Sequence, residues 1–185
     1  TMHLRGFSVR GAAGDIITVD DLEVSWGALA AVKAAFGTVR FRAVTIRGAR
    51  VVLRQDAAGQ LELSTLMKPR PPAKGTTVID RLQVSGAELR LERAGQPPVT
   101  VRGIDLGASL KSTPTAVDVR DLALGLASGH SRLGLTGEVH SKPGRLRGRA
   151  ALAVDLRAVD LAALWPASPI RRDLTARAEL GGPGV

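Results

Sequence analysis

One short pattern constrains this chain more than any other: apolar-x-apolar, two residues drawn from Arg, Asp, Gly and Ala, then apolar-x-apolar. It reads Met2-x-Leu4-Arg5-Gly6-Phe7-x-Val9 and Ile17-x-Val19-Asp20-Asp21-Leu22-x-Val24 near the start. It returns as Val39-x-Phe41-Arg42-Ala43-Val44-x-Ile46, Val99-x-Val101-Arg102-Gly103-Ile104-x-Leu106 and Val117-x-Val119-Arg120-Asp121-Leu122-x-Leu124. Val154-x-Leu156-Arg157-Ala158-Val159-x-Leu161 closes the series, and Ile79-Asp80-Arg81-Leu82-x-Val84 is a partial copy. Period-two apolar spacing marks one buried face of a strand. The three-residue step in the middle flips that face unless a bulge or tight bend absorbs the extra residue. The expected architecture is therefore a long series of half-buried strands that bend at regular points.

Composition narrows the partners. The apolar residues are mainly Val, Leu and Ala, Tyr is absent, and Phe and Trp are scarce. The absence of cysteine excludes disulfides and thiolate metal sites and leaves the redox compartment open. A formal net charge of +9 favours phosphate-bearing partners, an anionic membrane surface among them. Arg40 and Arg42, and again Arg145, Arg147 and Arg149, alternate with apolar or small residues, which puts each set on one strand face opposite the core. A solvated outer face accounts for such runs. Binders of single-stranded nucleic acid stack bases on aromatic platforms, and this chain has almost none, so nucleic acid is not an expected partner.

No stretch approaches the roughly twenty apolar residues that cross a bilayer. The longest candidate, Trp26 to Phe36, is short and contains Lys33. No charged start, apolar region and cleavage site mark a signal peptide. The pattern begins in mid-copy at Met2 and the chain ends on Gly-Gly-Pro-Gly-Val, so it reads as a piece of something longer, with any anchor outside it.

The first part, residues 1–67, reads strand, strand, helix, strand, strand. Ser25 is placed to cap a helix from Trp26 to Phe36 that Gly37 ends, with Trp26, Leu29, Val32 and Phe36 on its apolar side. Thr38 to Ile46 and Ala49 to Arg54 are expected as a hairpin around Arg47-Gly48. A turn over Gln55 to Gly59 leads into Gln60 to Leu63, and Leu63 to Met67 is expected as one helical turn. Residues 68–75, Lys-Pro-Arg-Pro-Pro-Ala-Lys-Gly, form a stiff linker and the main boundary.

Residues 76–185 read as a β-meander. Strands are expected over Val78 to Ser85, Ala87 to Arg93, Val99 to Leu110, Ala116 to Leu126, Ser131 to His140 and Arg145 to Leu156, with Gly86 among the separating turns. A helical segment from Leu161 to Trp165 and a last strand from Asp173 to Leu180 follow. Short turns between consecutive strands make the sheet antiparallel.

The catalytic inventory is thin. His3, His130 and His140 belong to no spaced ligand set, and the last two flank one strand at opposite ends. Gly125 to Gly129 has the wrong Ser spacing for a nucleophile elbow, and Lys74-Gly75-Thr76 lacks the upstream glycine of a phosphate loop. Asp20 and Asp21 occupy a slot that other copies fill with Arg-Gly, Arg-Ala or Arg-Asp. That interchangeability fits a bend and not a pair of acid–base carboxylates. No enzyme, cofactor or metal is expected.

Strands that turn their apolar sides the same way make a continuous apolar surface, which closes into a barrel, packs on another sheet, or stays open as a trough. Slim Val, Leu and Ala side chains suit a surface that leaves space. An aliphatic trough accepts acyl chains, each buried methylene contributing about 0.8 kcal/mol.

Two stretches carry a resemblance. The first runs Ile17-x-Val19-Asp20-Asp21-Leu22-Glu23-Val24, a short helix, then Val44 to Leu66 through Arg47-Gly48 and Gln55-Asp56-Ala57-Ala58-Gly59-Gln60-Leu61-Glu62-Leu63. The second runs from Val154 through Val159-Asp160-Leu161-Ala162-Ala163-Leu164-Trp165-Pro166 to Leu174-Thr175-Ala176-Arg177-Ala178-Glu179-Leu180-Gly181-Gly182-Pro183. Together they resemble the amino-proximal part of AsmA-like and TamB-like proteins, including a "D-x-x-G-x-x-N-L" turn, here without its Asn, and a "D-L-x-x-L-x-P … G-P" unit. The resemblance implies a mostly β, curved open sheet forming a groove capped by short helices, in a periplasmic segment of an inner-membrane-anchored envelope protein. It implies passage of phospholipid acyl chains between membranes, or assistance to assembly with an outer-membrane barrel protein as partner. It carries no catalytic residues. The groove-lining positions it points to are Val19, Leu22, Phe41, Val44, Val101, Ile104, Val119 and Leu122. Ordinary core packing is the competing reading for each.

Overall fold

The computed structural model describes residues 1–11, 14–27, 34, 37–55, 62, 75–143, 145–164 and 172–182. Ten strands form one sheet: β1 Met2–Gly11, β2 Gly14–Trp26, β3 Thr38–Arg47, β4 Arg50–Gln55, β5 Thr76–Arg93, β6 Val99–Thr113, β7 Ala116–Ser128, β8 Ser131–Lys142, β9 Arg145–Leu156 and β10 Leu174–Gly182. A short helix, α1 Ala158–Leu164, stands between β9 and β10. The spatial order is β1-β2-β3-β5-β6-β7-β8-β9-β10, with β4 pairing β2 and β5. The sheet is curved and open, and its edges are β1 and β10.

The repeat forms bulges. Between β5 and β6, Asp80-Arg81 stand opposite the single residue Ser109, and Ser85-Gly86 opposite the single residue Asp105. Arg102-Gly103 of β6 then stand opposite Glu88 alone, and Arg120-Asp121 of β7 opposite Glu138 alone. Each extra residue is absorbed, so the apolar residues on either side keep one face. In β1 and β2 two copies lie directly opposite each other, Leu4 pairing Leu22 and Phe7 pairing Val19 without a register shift between them. The second slot takes positive φ at Gly6, Gly103 and Asp121.

Two expected turns are bends of the same kind. Arg47-Gly48 was expected to close a hairpin, but β3 and β4 run on in one direction. Both are antiparallel to β2 and parallel to β5, with the register carried across the break from Arg47–Ser85 to Arg50–Glu88. The backbone bonds Gly48 N to Ser85 O (3.1 Å) and Glu88 N to Ala49 O (2.8 Å) hold the bend to β5. Gly86 was expected to separate two strands, yet β5 passes through it at φ +61°. The sequence explains both: Ile46-Arg47-Gly48-Ala49-x-Val51 and Val84-Ser85-Gly86-Ala87-x-Leu89 are further copies of the pattern, with Ala in an apolar slot. The sheet is consequently mixed on one side of β5 and an antiparallel meander on the other.

Three more expectations are corrected. Ser25 caps no helix, because β2 continues through Ser25, opposite Ala43, to Trp26, opposite Phe41. The final copy of the pattern stops being a strand at Leu156, and its second half enters α1, leaving Val159 68% exposed. That helix begins at Ala158 instead of Leu161. Residues 28–33, 35 and 36 of the expected Trp26–Phe36 helix, residues 56–59 of the expected turn, residues 60, 61 and 63 of the segment after it, residues 63–67 of the expected helical turn, linker residues 68–74 and Trp165 lie outside the described residues. The strands on either side of the linker belong to one sheet through the β3–β5 and β4–β5 ladders.

The sheet has little core. A compact chain of this mass exposes about 8,500 Å², whereas this one exposes 12859 Å². Among the described residues the buried apolar ones are Ile16, Val19, Ala49 and Ala87. Val19, Ala49 and Ala87 form one cluster with Ile17, Leu22, Ile46, Val84 and Ile104 packed around it. Ile16 points to the opposite face, where Glu62 of the β4–β5 connection ion-pairs with Arg54 (3.2 Å). A Cβ on Gly11 would meet both Ile16 and Glu62.

Candidate functional site

Following the ladders from strand to strand assembles the apolar face. Leu4 pairs Leu22, which pairs Ile46, and the row continues through Val84, Leu106, Leu124, Leu135 and Leu152 to Ala178. A second row runs Trp26, Phe41, Ile79, Leu110, Val119, Val139. A third runs Val9, Ile17, Val51, Leu89, Val101. The face is apolar from β1 to β10 and mainly aliphatic, with Phe7, Trp26 and Phe41 as its aromatic residues among those described, and no second layer of described elements packs on it. Its residues on interior strands are mostly half-buried by their neighbours in the sheet, and those on the edge strands are open: Phe7 is 46% exposed and Leu180 60%.

The eight groove positions of the sequence analysis all lie on this face. Val19, Leu22 and Ile104 meet around the Val19–Ala49–Ala87 cluster. Phe41 and Val119 share the second row, Val44 pairs Val24 and Leu82, and Val101 pairs Leu89. Leu122 faces Gly137, where there is no side chain to meet it. The eight positions leave out four residues of the longest row: Leu106 and Leu124, which close two copies of the pattern, and Leu135 and Leu152, which lie outside every copy. Plain period-two alternation within β6 to β9 was their signal.

Glycines bring β8 and β9 together at one end of the face. A Cβ on Gly137 would fall on the carbonyl of Arg149, and one on Gly148 on the carbonyl of Glu138. Backbones that close admit glycine alone, and the register runs through both positions without a shift.

The other face is polar. Gly107, Ala123 and Gly125 floor a shallow open recess beside Asp80, Gln83 and Asp121. Thr136 and Ala151 floor another, beside His140, Arg147, Arg149 and Glu179. Arg40 holds Asp80 through bonds of 2.8–3.1 Å and keeps that carboxyl below its ordinary range. The His140 ring does the same to Asp118 at 2.9 Å.

At the β8–α1 corner, Asp160 accepts from Ser131 Oγ (2.7 Å) and from the His130 N–H (2.8 Å), and these bonds lower its pKa. Asp173 accepts from the Ala158 N–H and from Arg157, both at 2.9 Å, and is lowered likewise. Ser131, nearly sealed, also accepts the Arg157 N–H at 2.9 Å. This network ties α1 to the sheet.

Among the described residues no cluster of three His, Cys, Asp or Glu side chains is placed to hold a metal ion. No helix of these residues is long and apolar enough to cross a membrane. The chain matches no family model, no curated protein and no solved structure.

Proposed function

We propose that this chain is a non-enzymatic, periplasmic segment of an AsmA-like or TamB-like envelope protein, and that its apolar face carries phospholipid acyl chains between the inner and outer membranes. The observation that carries the reading is the unbroken aliphatic row from Leu4 to Leu152, on a sheet with no described layer over it. A face of this kind in water favours an apolar occupant, at about 25 cal/mol per Å² covered. Acyl chains match its chemistry: the rows offer methyl and methylene groups with no polar side chain set among the residues of the longest row.

Photo-crosslinking amino acids placed at Leu106 and Leu124, with native mass spectrometry of the purified chain, test the proposal. Phospholipid bound to the chain and labelled from both positions is expected. A lipid-free protein with no lipid adduct from either position refutes the groove for this segment. Labelling of a protein partner instead transfers the face to the assembly role.

A further inference from the structure

We infer that one strand-end of the sheet seats on an anionic phospholipid surface: the end formed by the β6–β7 and β8–β9 turns. The seating rests on the groove reading, because it names the surface at which lipid would meet the apolar face.

The register gathers cations at this end that the sequence scatters. Lys142 stands directly opposite Arg145, and Arg147 and Arg149 follow on the same polar side of β9. Lys111 near the end of β6 and Arg120 on β7 extend the band. All six are exposed, and none makes an ion pair with a described residue. Of the acids that line the recesses beside them, Asp118 is engaged by His140 and Asp80 by Arg40, while Glu138 and Glu179 share a recess with Arg147 and Arg149 at no ion-pair distance.

At the opposite strand-end three arginines are paired within the chain, while Arg93 and Arg132 make no ion pair with a described residue. Arg102 pairs Glu88 and Arg90 pairs Glu92, while Arg157 pairs both Asp155 and Asp173. The formal charge is therefore polarised along the strand axis.

Like charges directly opposite each other destabilise a ladder, and an anionic partner offsets that cost. The apolar face at the same end adds a second feature. Trp26 (44% exposed), Val39 (38%) and Val117 (38%) form its rim. Cations on one side and an apolar rim with a Trp on the other suit the headgroup boundary, where phosphates meet acyl chains and Trp is enriched. Nucleic acid offers phosphates but nothing for the apolar rim.

The test is flotation of the purified chain with phosphatidylcholine vesicles that do or do not contain a minor fraction of phosphatidylglycerol. Binding is expected only with the anionic lipid, and it should fall as salt rises. The triple variant Arg145→Gln/Arg147→Gln/Arg149→Gln should weaken it on the order of a hundredfold. Arg90→Gln/Arg93→Gln/Arg102→Gln, with the same charge change at the other end, should leave binding nearly intact. Far-UV circular dichroism of both variants reads out folding independently.

Equal losses from the two variants overturn the inference in favour of bulk charge, and binding to neutral vesicles overturns its electrostatic basis. An oligonucleotide that binds more tightly than vesicles and depends on the same three arginines reassigns the band to nucleic acid. The groove has its own readout: lipid adducts at Leu106 without vesicle binding leave the groove standing and remove the seating alone.

Discussion

At the scale of the residue, the two variable positions of the repeat decide whether a strand bends, and backbone conformation decides what they tolerate. Gly86 and Gly103 both sit at positive φ, +61° and +66°, where a Cβ crowds the following carbonyl at about 1–2 kcal/mol. Their surroundings differ. A Cβ on Gly86 meets nothing within 4 Å, whereas one on Gly103 lies 2.8 Å from the carbonyl oxygen of Ala127. Gly86→Ala should therefore cost about 1–2 kcal/mol, and Gly103→Ala distinctly more, as read from urea unfolding midpoints at unchanged m. Equal costs would show that the Ala127 contact relaxes freely. Asp121 holds the same slot at φ +52°, and its carboxylate accepts from Ser109 Oγ at 3.0 Å. Asp is among the few L-residues that tolerate this region, which explains why the pattern accepts Arg-Asp as well as Arg-Gly.

At the scale of the element, two arrangements depend on polar groups from distant parts of the chain. The β3–β4 lane is held straight by β5, whose register spans the Gly48 bend. α1 is held by two carboxylates, Asp160 and Asp173, both kept below their ordinary range by hydrogen bonds. A carboxyl that is more acidic folded than unfolded contributes stability above its unfolded pKa of about 3.9 and loses it as pH falls through the folded value. The His130 and Ala158 amides, which donate to these two groups, should keep their exchange protection from neutral pH down to about pH 4 and lose it below. Asp160→Asn should remove the His130 share of that pH dependence and leave the Ala158 share, after correction for intrinsic exchange. A wild-type profile that stays flat through the acid range would mean that neither carboxylate governs the corner.

At the scale of the whole molecule, the single-layer sheet sets the dimensions. A compact chain of this length has a radius of gyration of about 16 Å. Small-angle scattering of the monomer should give a clearly larger value, in keeping with the 12859 Å² of exposed surface. A value near the compact one would mean that the sheet closes on itself in solution and that its apolar face is an ordinary core. Lipid bound along the face should raise stability without shrinking that radius, because an occupant fills the open side and adds no strand.

The bending strands, the shared apolar face and the eight positions on it were legible in the residues because period-two spacing and a two-residue step are local. So were the limits of β9, Arg145 to Leu156, which Pro143 and Gly144 precede. The same spacing also contained the Arg47-Gly48 and Ser85-Gly86 copies, but Gly after a polar residue is equally a turn signal, and Ala was not counted as apolar. Which of the two a Gly becomes depends on whether a neighbouring strand takes up the backbone hydrogen bonds on both sides of it. For Gly48 that neighbour is β5, thirty-eight residues along in register. Ser25 and Trp26 were drawn into β2 by Ala43 and Phe41 in the same way.

What the sequence determined by itself is the kind of surface: bent strands with one aliphatic and one polar side, for which side-chain alternation suffices. Only the tertiary structure decided the order of the strands, the parallel lane through β3 and β4, and the polarised band of cations at one strand-end. These rest on hydrogen bonds and charge pairs between residues far apart in the chain, and no local pattern records which partner each one finds.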